Sequence, residues 1–175
     1  MVLCGMFAAL VAIGAFIQIP VPYMDYFTLQ FFFVLLAGLV LGADKGAISV
    51  GCYVLLGLVG VPIFAAGGGI GYIFRPSFGY LVGFIVSAYV TGKVCEKLKA
   101  SYKNYLLACL AGFVVTYATG IVYKFIILNF YAHTPATLGV IFLSCFPLDM
   151  PGDFVLCLLA AGVGLRMRKS GFYLS

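Results

Sequence analysis

The sequence predicts an all-α membrane protein of six spanning helices with both termini on the cytoplasmic side. Three observations carry that expectation. Of the 175 residues, 65% are hydrophobic and only 9% charged, whereas soluble domains carry about 25% charged residues because they must cover a water-facing surface. The apolar residues fall into six runs spread along the whole chain, and mean hydropathy is +1.19. The cations, finally, gather in alternate connections between those runs, which is how Lys and Arg mark the cytoplasmic side.

The runs cover residues 2–19, 28–41, 47–61, 78–94, 105–130 and 151–165. A helix crossing the hydrocarbon core needs about 20 apolar residues. The second and third runs are therefore short, and must tilt little or extend into adjoining segments. The first lacks the basic start of a secretory signal and reads as a retained helix. Lys45 lies between the second and third runs; Lys93 at the end of the fourth run and Lys97, Lys99 and Lys103 beyond it mark the connection to the fifth; Arg166, Arg168 and Lys169 follow the sixth. With alternating sides these eight cations share one face, against Arg75 and His133 in the opposite connections. A single integral membrane domain over residues 1–175 follows.

Several function classes are disfavoured. No G-x-x-x-x-G-K-[ST] is present, so the chain has no P-loop for ATP, and neither G-x-S-x-G nor H-E-x-x-H occurs. The six cysteines stand singly in apolar runs without metal-ligand spacing. The lone His133 gives no catalytic pair, so the chain is not expected to be an enzyme or to need a metal or cofactor. The net charge of +5 comes from residues flanking apolar runs, which sets topology rather than nucleic-acid binding. An intramembrane enzyme would still need a catalytic pair, and a pure scaffold would bind no small molecule.

The external connections differ in kind from the internal ones. They include Ile19-Pro20-Val21-Pro22, the cluster from Ala65 to Gly71, and the stretch from Phe146 to Asp153. Glycine permits close backbone approach and positive φ, and irregular backbone near a bilayer is tolerated where it is buried or lines a cavity. Two readings stay open: plain connecting loops, or a lid and pocket on the outer face.

Ionisable groups at membrane depth usually face a bundle interior or a cavity, because each costs about 2.5–3.5 kcal/mol on insertion scales. Three lie toward the external side: Arg75, Lys124 and Asp153. Asp153 falls in the first turn of the sixth helix, where it stabilises the helix dipole or accepts ligand N–H groups. Thr116, Gly120 and Lys124 recur every four residues, a small-polar stripe suited to a cavity, although Lys124 could equally snorkel to the outer interface. Arg75 contacts lipid headgroups or a ligand. Ala8-x-x-x-Ala12, Gly38-x-x-x-Gly42 and Gly79-x-x-x-Gly83 flatten helix faces for close packing.

These segments resemble a known family. Phe27-Thr28-Leu29-Gln30, then Leu35-Leu36-Ala37-Gly38-Leu39-Val40-Leu41-Gly42, is similar to a stretch of BioY proteins, the biotin-specific S components of energy-coupling factor (ECF) transporters. The pattern continues through Gly46-Ala47, Tyr53-Val54-Leu55-Leu56-Gly57, Gly60-Val61-Pro62-Ile63-Phe64, the glycine cluster, the run from Arg75 to Phe84, and Pro151-Gly152-Asp153. The resemblance implies a six-helix S-component fold in the cell membrane that binds biotin near the external face. It also implies partners: one transmembrane coupling protein, against which Ala8 and Ala12 would face, and two ATPase subunits. It favours Asp153 as a hydrogen-bond acceptor. Family members often have a lysine where this chain has Leu156, and glycine where it has Arg75. Biotin's carboxylate then needs another cation, Arg75 or Lys124, and Arg75 is preferred because guanidinium grips a carboxylate bidentately. Tyr80, Tyr53 and Gln30 are candidate wall or polar contacts.

Overall fold

The computed structural model describes residues 1–19, 27–132, 136–145 and 149–171. His133, the Pro20 and Pro22 turn and the stretch 146–148 lie outside the described residues. The chain runs α1 (Val2–Phe16), a two-residue antiparallel ribbon of β1 (Gln18–Ile19) and β2 (Phe27–Thr28), then α2 (Gln30–Leu41) and α3 (Ala43–Val59). A 3₁₀ turn (Ile70–Phe74) precedes α4 (Phe78–Lys97). The helix α5 (Tyr102–Ile126) continues as a π turn (Ile127–Tyr131), followed by α6 (Leu138–Cys145) and α7 (Asp149–Lys169). Each of the six apolar runs holds a helix, and α6 is an eight-residue addition between the fifth and sixth runs. Its apolar run is too short to register as a span.

Two boundaries shift for identifiable reasons. Helix α3 begins at Ala43 instead of residue 47, because Gly42 at φ +82° reverses the chain in one residue, a conformation open to glycine. Lys45 therefore sits in the first turn of α3 and not in a connection. The Glu96 carboxylate accepts the Ala43 N–H at 2.9 Å, satisfying one of the donors that a helix start leaves open. Helix α7 begins at Asp149, so Asp153 stands one turn deeper than expected. Pro151 is tolerated there because first-turn N–H groups have no intrahelical partner.

Helix α2 is the centre of the bundle. Every α2 residue except Phe32 and Phe33 is buried, and the helix packs against α1, α3, α4 and α7. Glycines set the closest approaches: a Cβ on Gly38 would come within 2.5 Å of the Ala88 carbonyl oxygen, and one on Gly92 within 2.4 Å of the Ala43 nitrogen. The Gly79 and Gly83 pair does the same toward α5, at Tyr123 and Thr119. Within the Gly38–Gly42 pair, Gly38 packs against α4, and Gly42 makes the turn with its backbone against Gly92.

By length and composition α4, α5 with its extension (Tyr102–Tyr131) and α7 can each cross a membrane. Helices α1 and α2 are apolar but shorter. At about 1.5 Å per residue the twelve residues of α2 reach only ~18 Å, which a helix enclosed by neighbours can accept because it meets protein rather than lipid. The cations Lys45, Lys93, Lys97, Lys103, Arg166, Arg168 and Lys169 occupy one set of helix ends. Arg168 donates to the Tyr105 hydroxyl at 3.1 Å there, tying the end of α7 to the start of α5. The opposite ends frame a cleft.

Candidate functional site

The cleft is built where α2, α4 and α7 begin and α5 ends. Its space is about 830 Å³ counted out to and including its open mouth. The floor is aromatic. Phe31 stacks on Phe84 with centroids 6.1 Å apart and meets Phe113 at 6.3 Å, and Phe113 packs on Tyr117 at 4.6 Å. Tyr80 completes the wall edge-on to Tyr117 at 5.9 Å. Its ring lies directly on Gly120, where a Cβ would come within 2.4 Å. The Phe27 ring occupies the corresponding place over Gly152, at 2.5 Å.

Onto this apolar box the helices project few polar groups. On α7, Asp153 accepts the Tyr117 hydroxyl proton at 2.7 Å, so one carboxylate oxygen is held while the group faces the cleft. Thr116 is 1% exposed, lines the cleft, and its hydroxyl has no hydrogen-bond partner among the described residues. A buried hydroxyl without a partner costs about 1–3 kcal/mol, which a bound molecule would relieve. Toward the mouth stand Lys124, seven residues beyond Tyr117 on α5, and Asp149, one turn before Asp153 on α7. Lys124 is displaced outward from the Tyr117 level by ~10 Å along the helix. The cleft is thus polarised: an acceptor and hydroxyls at its deep end, an ammonium and a second carboxylate at its outer end.

The segment joining α3 to α4 is folded into the bundle. Phe64, 2% exposed, inserts against Gly57, where any Cβ would collide with its ring, and packs on Tyr72 at 4.6 Å. Gly67 and Gly69 adopt φ of +108° and +102°, which lets this glycine-rich stretch carry Ala65 and Ala66 to the edge of the cleft. It is a packed wall rather than a plain connection.

Of the residues expected from sequence, Asp153, Lys124, Tyr80 and Gln30 line the cleft. Tyr53 does not: it is fully buried one layer behind, where its hydroxyl accepts from Gln30 and donates to the Ile63 carbonyl at 3.1 Å. Arg75, preferred as the carboxylate partner, is exposed and lies outside the lining. Its guanidinium sits over the Tyr72 ring, 5.3 Å from the centroid, because that ring fills the wall in front of it. Leu156 is buried in the core, on the turn below Asp153. Ala8 is 7% exposed and packs inside, while Ala12 is half-buried; the outward residues of α1 at this level are Gly5, Ala9 and Ile13. Tyr117, Asp149, Phe31, Phe84 and Tyr72 are cleft residues that sequence reasoning missed. Tyr117 was within reach, since Phe113, Thr116, Tyr117, Gly120 and Lys124 share one helix face at spacings of three and four.

Fold and cleft together define a helical membrane protein with a small-molecule site between its helices. The sequence profile of the BioY family matches residues 1–171. The chain is 40% identical over 169 residues to the biotin transporter BioY of Thermotoga maritima, covering 94% of this chain and 93% of that one. It is 36% identical over 178 residues to the biotin transporter BioY of Rhizobium etli, covering 94% and 90%. Its fold matches the crystal structure of the S-component for biotin from an ECF-type ABC transporter with a TM-score of 0.84, at 26% identity over 96% of this chain and 89% of that one. The chain belongs to the BioY family, a family of transporter components and not of enzymes.

Proposed function

We propose that this chain is the biotin-capturing S component of an ECF-type vitamin transporter, taking biotin into the cleft from outside the cell. The observation that carries the reading is the polarity of the cleft. Biotin offers a fused ring urea with N–H donors and a carbonyl acceptor, an apolar body, and a valerate anion. The deep acceptor Asp153, held by Tyr117, suits the ring N–H groups. The aromatic floor suits the ring body, and Lys124 at the mouth suits the anionic tail. Lys124 thereby supplies the cation for which the buried Leu156 cannot serve.

In this reading six helices lie in the cell membrane with both termini cytoplasmic. The cation-rich helix ends face the cytoplasm and the cleft faces outward. Without a P-loop the chain depends on other subunits for ATP-driven release, a transmembrane coupling protein and two ATPases. The coupling protein is assigned to the exposed flank of α1, where Gly5, Ala9 and the half-buried Ala12 permit close helix approach. Ala8, turned inward, is not part of that face.

Uptake tests the assignment. In a biotin-auxotrophic bacterium lacking its own carrier, the chain co-expressed with a coupling protein and ATPase pair is expected to give saturable uptake of labelled biotin. An ATPase-inactivating substitution in the partner subunits should abolish accumulation. Uptake no better than that of the module alone would contradict the proposal.

A further inference from the structure

We propose that Gln30 reads the ring carbonyl of the ligand through its second amide N–H, and that Tyr53 is the positioning residue that aims it. The inference deepens the biotin reading and rests on it. Gln30 is 4% exposed yet lines the cleft. Its amide is held at both ends: the Thr28 hydroxyl donates to Oε1 at 3.1 Å, and Nε2 donates to the Tyr53 hydroxyl oxygen.

The direction of these bonds follows from counting protons. A phenol has one proton, and Tyr53 commits it to the Ile63 carbonyl. Toward Gln30 the Tyr53 oxygen is therefore an acceptor only, so the amide must present its NH₂ there and its oxygen to Thr28. An NH₂ group has two hydrogens; Tyr53 takes one, and the other is left for the cleft. Residue 30 is thus fixed as a donor at the start of α2, opposite in polarity to the acceptor Asp153 on α7. A ring urea carries both matching groups, a carbonyl oxygen and N–H, on one rigid ring.

Tyr53 has little freedom to do otherwise. It is fully buried, with its ring edge-on to Phe64 at 5.5 Å, and Phe64 is itself wedged against Gly57. The same hydroxyl that orients Gln30 grips Ile63, two residues before the Ala65 and Ala66 edge of the cleft. Donor direction and placement of that edge are one unit.

The test compares biotin with 2-iminobiotin, in which the ring carbonyl oxygen is replaced by an imino nitrogen that is protonated at neutral pH and can only donate. Equilibrium binding to the detergent-purified chain is expected to favour biotin. Gln30→Glu, which puts an acceptor where the donor stood, should move the biotin-to-iminobiotin affinity ratio by about tenfold or more toward iminobiotin, the worth of one hydrogen bond. Tyr53→Phe, which keeps the ring and frees the amide, should shift the ratio the same way by several-fold. A packing defect lowers both affinities together and leaves the ratio alone. Wild-type protein that binds biotin, with ratios unchanged within twofold in both variants, overturns this inference and leaves the functional assignment standing. Failure of the wild type to bind biotin removes both.

Discussion

Asp153→Asn is expected to weaken biotin binding by roughly 10- to 150-fold, the range that a charge-assisted hydrogen bond of about 1.5–3 kcal/mol supplies. The argument turns on acceptor count. The carboxylate has lone pairs for Tyr117 and for a ligand N–H at once, and Tyr117 occupies one oxygen at 2.7 Å. An amide of the same shape keeps one acceptor oxygen and turns the other side into a donor: facing the ligand, that donor meets the ligand N–H with the wrong polarity, and facing Tyr117 it leaves the Tyr117 proton without its acceptor. Tyr117→Phe removes the group that orients the carboxylate but leaves the carboxylate itself, so its loss should be smaller, about three- to tenfold. Titration calorimetry on the purified variants separates the two. An Asp153→Asn protein that binds biotin within twofold of the wild type would remove Asp153 from the site.

Lys124→Met should weaken biotin by a comparable factor, roughly 10- to 150-fold, and should barely affect biotin amide, whose tail carries no charge. Met retains the apolar stem, so the comparison isolates the ammonium. Arg75→Ala is the control that decides between the two cations. With its guanidinium over the Tyr72 ring at 5.3 Å and outside the cleft lining, its loss should change biotin affinity by less than about threefold. Competition binding with labelled biotin reads all three ligand and variant pairs. A large effect of Arg75→Ala together with none from Lys124→Met would reverse the assignment.

That choice of cation shows where sequence reasoning stops. The Thr116, Gly120 and Lys124 stripe is visible in the chain because helical spacing alone places those residues on one face, and the structure puts that face on the cleft. Arg75 is equally visible as an unexpected charge in a glycine-rich segment. Which way its side chain turns depends on Tyr72, and the position of Tyr72 depends on Phe64 lodging against Gly57, a contact between residues whose pairing no periodicity encodes. Tyr53 fails as a cleft residue for the same reason: its helix face is fixed by α2 and the segment after α3, not by its own sequence neighbours. Ala8 and Ala12 keep the spacing that a packed interface uses, but spacing does not say whether the partner is another helix of this chain or another protein.

The helices themselves were legible because apolar runs bounded by glycine and proline admit few alternatives. Two of the boundaries that moved did so at Gly42, where a positive φ allows two helices to meet with no linker, and at Pro151, which reads as a helix start but lies in the first turn. The short helix α6 follows Thr137, whose hydroxyl accepts the Val140 N–H at 3.4 Å. Eight residues give too little periodicity to stand out from a connection.

Equilibrium binding of labelled biotin to the detergent-purified chain, alone and with excess unlabelled biotin, thiamine or riboflavin, bears on the central assignment most directly. Saturable binding displaced by biotin and left intact by the other two vitamins is the predicted result. No saturable binding, or equal displacement by all three, would mean that the cleft between α2, α4, α5 and α7 is not a biotin site.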